Sequence, residues 1–144
     1  MKNFNPEEFS ERLQYASPLL LEKLDLFRDY IRKVINPSKA KGALARFEGS
    51  ATSQHYAVGR LSTAVDVFVD APPAWVFYKA LEFGWNGVGV YFDTHNNEGK
   101  KQIMFHFDTR VVNTSWYRNE NKYHWVTHNP EELDKLFRGL VNHG

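Results

Sequence analysis

The chain has 144 residues, 42% of them hydrophobic, which is enough apolar material for one packed domain and excludes global disorder. Its 18 Lys+Arg and 17 Asp+Glu give a formal net charge of +1, so we expect no nucleic-acid partner, since such proteins concentrate basic charge. The absence of cysteine excludes a disulfide scaffold, a thiolate metal site and a cysteine nucleophile.

The N-terminal part is predicted to be helical over residues 5–36. Asn5-Pro6-Glu7-Glu8 offers a capping residue, a first-turn proline and early acids. Pro18 interrupts this short helix and begins a second one, whose apolar residues keep a helical period from Leu19 to Ile35. We expect this second helix to have a packing role.

The middle of the chain is predicted to form strands. Residues 43–48 alternate in polarity, and residues 64–69 are mostly apolar and rich in valine, which indicates a buried strand. Residues 87–92 and 102–112 also have strand composition, whereas residues 113–128 are predicted to be irregular, with room for short strands.

Two further helices complete the prediction. Pro72-Pro73 begins a helix that runs through Phe83, and Asn129-Pro130 begins a final helix over about 130–141. The whole chain, 1–144, is therefore predicted to be a single α+β domain in which helices flank a small antiparallel sheet.

Polar residues interrupt two of the apolar strands. A carboxylate such as Asp66 is costly to bury unless it is paired, hydrogen-bonded or bound to a metal. His106 interrupts a second apolar strand, with Asp108 on the same face, and His55 lies just ahead of the Asp66 strand. Two histidines and one aspartate from separate segments are a ligand set that catalytic zinc uses, with the fourth position open. Asp108 is placed to act as a general base or to orient a ligand.

A purely structural explanation of these residues stays open. A single histidine in a strand is usually a satisfied core or surface residue. Asp66 could equally form an ion pair with Arg46, Arg60 or Arg110.

Three segments resemble the zinc D-alanyl-D-alanine carboxypeptidases and related peptidoglycan endopeptidases of peptidase family M15. They are Ser53-Gln54-His55, Ala64-Val65-Asp66 and His106-Phe107-Asp108-Thr109-Arg110, against a family pattern of Ser-x-His-x-x-Gly-x-Ala-x-Asp followed by His-x-Asp. Gly87-Val88-Gly89-Val90-Tyr91 is similar to the family's glycine-rich strand. The resemblance covers about residues 43–112. It implies a hedgehog-like α+β fold, Zn²⁺ held by His55, Asp66 and His106, and hydrolysis of peptide bonds in peptidoglycan stem peptides.

The sequence departs from this family in two places. The family has seven positions from the histidine to the aspartate, whereas eleven separate His55 from Asp66, which indicates an insertion within residues 56–61 and leaves Ser62 or Gly59 at the family's glycine. Many members carry an acidic base three residues before the last histidine, where this chain has Ile103. Asp108 is therefore our candidate base by elimination; if it orients a ligand instead, Asp93 or His95 are the nearest alternatives.

Two residues are candidates for binding substrate. Arg46 lies upstream of His55, as does a family arginine that binds a substrate carboxylate, although a solvent-facing strand arginine explains it equally well. Tyr91 and Trp85 could line the cleft, and the alternative for both is a place in the core.

Together these features predict a zinc peptidase that acts on peptidoglycan as a monomer. The first eight residues lack the apolar segment of a signal peptide, and no apolar run is long enough for membrane insertion. We therefore expect synthesis in the cytoplasm and access to the wall after holin-type release, as for a bacteriophage endolysin. The alternatives are a non-catalytic zinc-binding module of the same fold, which Ile103 favours, and a phage or bacterial structural protein in which the polar residues pair with arginines.

Overall fold

The computed structural model describes residues 1–143 and contains a six-stranded sheet and three α-helices. The strands are β1 (Ile35–Pro37), β2 (Ala64–Val69), β3 (Gly87–Tyr91), β4 (Met104–Asp108), β5 (Thr114–Asn119) and β6 (Lys122–Trp125). The helices are α1 (Pro18–Ile31), α2 (Pro73–Phe83) and α3 (Pro130–His143). In this part of the chain no helix combines the length and apolar character that crossing a membrane requires.

The α+β class is confirmed, but the sheet is mixed, where the sequence predicted an antiparallel one. Its strand order is β1-β2-β4-β3-β5-β6, and every neighbouring pair is antiparallel except β3 and β5. A short loop reverses the chain after β4, and β5 then takes the free side of β3. A strand that is antiparallel to β4 is necessarily parallel to β3, and this arrangement is invisible in local sequence patterns.

The two faces of the sheet have different roles. The helices cover one face, called here the core face, where Val67, Val88, Phe105 and Phe107 are almost completely buried in a single apolar cluster. Alternation along each strand sends the intervening side chains to the opposite face, called here the site face.

The N-terminal part differs from its prediction. Residues 5–17 form two short 3-10 helices, Pro6–Glu8 and Leu13–Tyr15, rather than one α-helix. Helix α1 ends at Ile31 because Arg32 adopts a left-handed conformation, with φ of 54°. The chain beyond it turns into β1 and pairs with β2, so residues 35–36 belong to a strand and not to the predicted helix.

Residues 43–48 were wrongly predicted as a strand. They form bends, and Arg46 makes an isolated bridge to Tyr56. Residues 113–128, predicted as irregular, contain the β5–β6 hairpin, whose turn residues Glu120 and Asn121 have φ of 51° and 62°. The predicted helix 73–83 is confirmed, and the final helix extends to His143.

Candidate metal centre

Residues of the site face form one row across the sheet. Asp66 on β2 is paired with His106 on β4, and His106 is paired with Gly89 on β3. The row continues through Trp116 on β5 to Trp125 on β6. Since paired residues point to the same side of a sheet, all five positions share the site face.

A buried cluster of three side chains occupies one end of this row. His55 is 2% exposed and reaches the row from a loop; its Nε2 atom lies 3.2 Å from Asp66 Oδ1 and 3.1 Å from His106 Nδ1. Asp66 Oδ1 and His106 Nδ1 are 3.2 Å apart. His55, Asp66 and His106, called here the metal cluster, thus offer three ligand atoms that could hold a metal ion.

The spacing of these atoms fits tetrahedral coordination. Bonds of about 2.0–2.1 Å in a tetrahedral site place neighbouring ligand atoms about 3.3–3.4 Å apart. The observed separations of 3.1–3.2 Å are close to that value, so a metal ion needs little rearrangement of the side chains.

The hydrogen bonding of His106 supports the same conclusion. Its Nε2 atom lies 2.7 Å from Asp108 Oδ2, and a carboxylate only accepts, so Nε2 carries the proton. In the neutral ring Nδ1 then bears a lone pair, which faces the carboxylate oxygen of Asp66. Converging lone pairs in a buried site repel one another unless a proton or a cation lies between them.

Charge in the metal cluster is strongly coupled. Burial raises the pKa of Asp66, but the charge of His55 and the hydrogen bonds from both histidines have the larger effect. The net pKa of Asp66 is therefore well below its usual range. Burial lowers the pKa of His106, whereas its hydrogen bonds to Asp108 and Asp66 raise it to a net value above normal. Asp66 therefore stays ionised, and a proton on His106 competes with a cation for the same position.

Asp108 lies behind His106 and fixes its orientation. It is fully buried, and its carboxylate accepts hydrogen bonds from Arg110 Nε at 2.9 Å and Nη2 at 2.6 Å. Burial raises the pKa of Asp108, but the hydrogen bonds from His106 and Arg110 hold it well below its usual range. A Cβ on the facing Gly87 would clash with this carboxylate. This geometry favours the orienting role over the role of general base.

The two alternative bases, Asp93 and His95, do not line the cavity that opens above the metal cluster. The carboxylate of Asp93 is engaged by Arg118 and by the backbone N–H of Asn121. His95 is exposed in the turn that precedes β4, where it bridges to Lys101.

The loop that carries His55 is held from both sides. The backbone N–H of Arg46 donates to the His55 carbonyl oxygen at 2.7 Å. Arg60 donates to the carbonyl oxygens of Ala51, Ser53 and Tyr56. Arg60 therefore stabilises the loop instead of pairing with Asp66, and Asp66 makes its close charged contacts with the two histidines.

The two residues that were candidates for the glycine of the motif, Gly59 and Ser62, lie in different environments. Gly59 is exposed, with φ of 72°. Ser62 is fully buried, and its hydroxyl donates to the Leu44 and Ala64 carbonyl oxygens. Of the two residues, Ser62 is therefore the one that contacts the start of β2.

A cavity of about 460 Å³ opens above the metal cluster. His55 and His106 lie at its base, and the predicted substrate-binding residues Arg46 and Tyr91 both line it. Trp85 does not, because it is buried on the core face, stacked on Phe107 with ring centroids 5.1 Å apart.

One wall of the cavity was predicted from the sequence only in part, through Tyr91. It consists of four aromatic residues, called here the aromatic wall: Tyr91, Trp116, Tyr123 and Trp125. The Trp116 ring lies 4.9 Å from the His106 ring, and its Nε1 donates to the Tyr91 hydroxyl at 3.2 Å. The alternation of Trp116-Tyr117-Arg118 and Tyr123-His124-Trp125 around a polar turn was the available signal for a hairpin.

Comparisons with protein-family models, with curated proteins and with solved structures found no significant match. Functional inference therefore rests on the residues and geometry of this chain.

Proposed function

We propose that the chain is a zinc-dependent peptidase that cleaves peptidoglycan stem peptides. The observation that carries the proposal is the convergence of His55, Asp66 and His106 at the base of an open cavity.

Zinc is the metal that suits this ligand set best. Nitrogen and carboxylate ligands at tetrahedral spacing are typical of Zn²⁺, and three protein ligands leave the fourth position open in catalytic sites. The chemistry that zinc supplies in such a site is polarisation of a carbonyl group and acidification of a water molecule.

Arg46 is suited to binding a substrate carboxylate. It is exposed at the cavity rim and its Nε donates to the Gly42 carbonyl oxygen at 3.4 Å. Within residues 1–143 it forms no ion pair, so its guanidinium is available for a bidentate contact with a free carboxylate. Stem peptides carry such carboxylates, which fits the proposed substrate.

Tyr91 is suited to donating a hydrogen bond to the substrate. Burial raises its pKa, and the nearby charge of Asp66 raises it further, so the hydroxyl stays protonated at neutral pH. Because this oxygen already accepts from Trp116 Nε1, its own proton is free to reach a carbonyl oxygen in the cavity.

The order of the sequence motifs is the reason for proposing this class of substrate. The resemblance of the three segments that carry His55, Asp66 and His106 to peptidoglycan peptidases is what indicates the stem peptide, a hedgehog-like fold and action on the cell wall. A role in phage lysis is part of the same proposal.

A non-catalytic zinc-binding module is the second candidate, and one observation favours it. Among residues 1–143, none of those that line the cavity has a carboxylate that could take a proton from water. Asp108 is enclosed by His106 and Arg110. Either another group accepts the proton of the attacking water, or the site binds zinc without catalysing hydrolysis.

Metal content and cleavage, measured on the same preparation, test both candidates. The protein is purified without chelator or histidine tag, its zinc is quantified, and it is incubated with purified peptidoglycan fragments whose products are identified by mass spectrometry. His106→Ala should lose both zinc and cleavage, while His124→Ala, which alters a histidine outside the cavity, should keep both.

Three results are decisive. One equivalent of zinc with cleavage that EDTA abolishes supports the peptidase. One equivalent of zinc with no cleavage supports the binding module, and an absence of bound metal contradicts both.

A further inference from the structure

Two large aromatic side chains of the aromatic wall are not explained by packing. Tyr123 is 54% exposed and Trp125 is 57% exposed, although both stand on the site face beside the candidate metal centre. By contrast, Trp116 is 4% exposed and belongs to the interior. Exposed aromatic rings beside a polar cavity are typical of a ligand contact surface.

The row across the sheet connects these rings to the metal cluster. His106 on β4 and Trp125 on β6 are separated by β3 and β5. With neighbouring strands about 4.8 Å apart, the distance along the row is about 14 Å. A ligand that extends from the metal cluster to Trp125 must therefore pass over Gly89 and Trp116, perpendicular to the strands.

This direction excludes one common mode of peptide binding for the ligand. A peptide added to the free edge of β6 would run along that strand and would stay four strand positions away from β4, which carries His106. Over the sheet face, the ligand instead meets aromatic rings: Trp116 and Trp125 have centroids 5.6 Å apart, and Tyr91 and Tyr123 have centroids 6.2 Å apart.

Polar groups frame the exposed rings. The Arg118 guanidinium lies 4.6 Å from the Tyr91 ring centre and 5.9 Å from that of Tyr123, while Asp93 neutralises its charge. Across the cavity, Ser50 and Thr52 contribute hydroxyl groups. Exposed apolar rings bordered by hydroxyl groups and by a guanidinium that is paired with a carboxylate match a pyranose, which has an apolar C–H face and a hydroxylated edge.

We propose that Tyr123 and Trp125 form a subsite that stacks against a pyranose ring of an N-acetylated amino sugar. The inference rests on the proposed function, because such a sugar is joined to the stem peptide in peptidoglycan. The subsite makes the sugar-bearing peptide a better substrate than the same peptide alone.

Binding of the N-acetylglucosamine trimer to the full chain tests the subsite without any catalysis. Titration calorimetry and saturation-transfer NMR should detect binding to the wild type, and Trp125→Ala should weaken it about tenfold. Tyr123→Ala should weaken it as well, which keeps the test valid if one variant folds poorly. Tyr78→Ala is the matched control, since Tyr78 is 57% exposed on α2 and lies outside the cavity, and it should bind the trimer normally.

The second arm compares kcat/KM for a disaccharide-linked stem peptide and for the sugar-free peptide. Wild type should favour the sugar-linked substrate, and Trp125→Ala should lower kcat/KM for that substrate about tenfold more than for the sugar-free peptide, which removes the preference. Cleavage of both substrates at equal rates, without trimer binding, overturns the subsite and leaves the peptidase intact. Trimer binding that requires Trp125, without any cleavage, supports the subsite and contradicts the peptidase.

Discussion

The indole of Trp116 lies over Gly89, its partner on the neighbouring strand, so closely that a Cβ on Gly89 would stand 2.7 Å from the ring. The same indole packs against the imidazole of His106. The missing side chain at Gly89 is thus what allows a tryptophan from β5 to contact a residue of the metal cluster on β4, two strands away.

Gly89→Ala should displace that indole. The added methyl group overpacks the row, and we expect a loss of about 1–3 kcal/mol in the free energy of unfolding, measured by urea denaturation. Zinc affinity should fall with it, because the His106 ring loses its packing partner. The control is the same change in a Trp116→Leu background, where the alanine should cost much less; an equal cost would show that Trp116 is not the residue it meets.

Asp108→Asn tests whether this residue orients His106 or accepts a proton itself. The amide keeps the shape but loses the charge that holds the Nε2 proton and Arg110. We expect zinc affinity to fall about 10–100-fold, as is usual for partners that hold a metal-binding histidine. Competition with a chromogenic chelator measures it, and Asp70→Asn, an exposed aspartate, is the control. Unchanged zinc affinity with lost cleavage would instead assign Asp108 the role of base.

Metal binding should stabilise the fold. Free zinc at 100 times its dissociation constant adds about 2.7 kcal/mol, which corresponds to a Tm increase of about 6–10 °C for a domain of this size. Differential scanning fluorimetry with zinc and then EDTA should show the increase and its reversal. Asp66→Ala removes the carboxylate ligand and should abolish the increase; an increase of the same size in that variant would place the metal elsewhere.

The sequence predicted the candidate metal centre better than it predicted the fold around it. Asp66 and His106 were identifiable because a polar residue inside an apolar strand needs a partner, and alternation along one strand is enough to see it. His55 was a candidate because it lies just ahead of the Asp66 strand, and the motif order agreed with that choice. The close approach of all three, within 4.8 Å, agrees with that prediction.

The features that the sequence did not predict depend on pairing between strands that are far apart in the chain. Strand β1 has three residues and exists because it pairs with β2, so a helical period that continues to Ile35 was misleading. The aromatic wall depends on β5 lying beside β3, and no local pattern specifies that neighbour. Consequently, the exposed Trp125 could be assigned to the candidate site only from the order of the strands in the sheet.

The Asp93 carboxylate joins the end of β3 to the β5–β6 hairpin, and this link should depend on pH. It accepts Arg118 Nε at 3.0 Å and the Asn121 backbone N–H at 2.9 Å. Burial raises its pKa, but these hydrogen bonds and the Arg118 charge lower it to a net value below normal.

Because the pKa of Asp93 is lowered in the folded state, its charge stabilises the fold at pH values above the unfolded-state pKa of about 3.9. That contribution is lost as the pH falls through the pKa of the folded state. Wild type should therefore exceed Asp93→Asn in unfolding free energy by about 1–2 kcal/mol at pH 7, and the difference should close below about pH 3. Urea denaturation at pH 7, 5 and 3 measures the difference.

The control is Asp134→Asn, which breaks an exposed ion pair with Arg138 and should show little difference from wild type at any pH. A difference for Asp93→Asn that persists at pH 3 would contradict the role of the Asp93 charge, because a protonated carboxyl and an amide are nearly isosteric and the two proteins should then be equally stable.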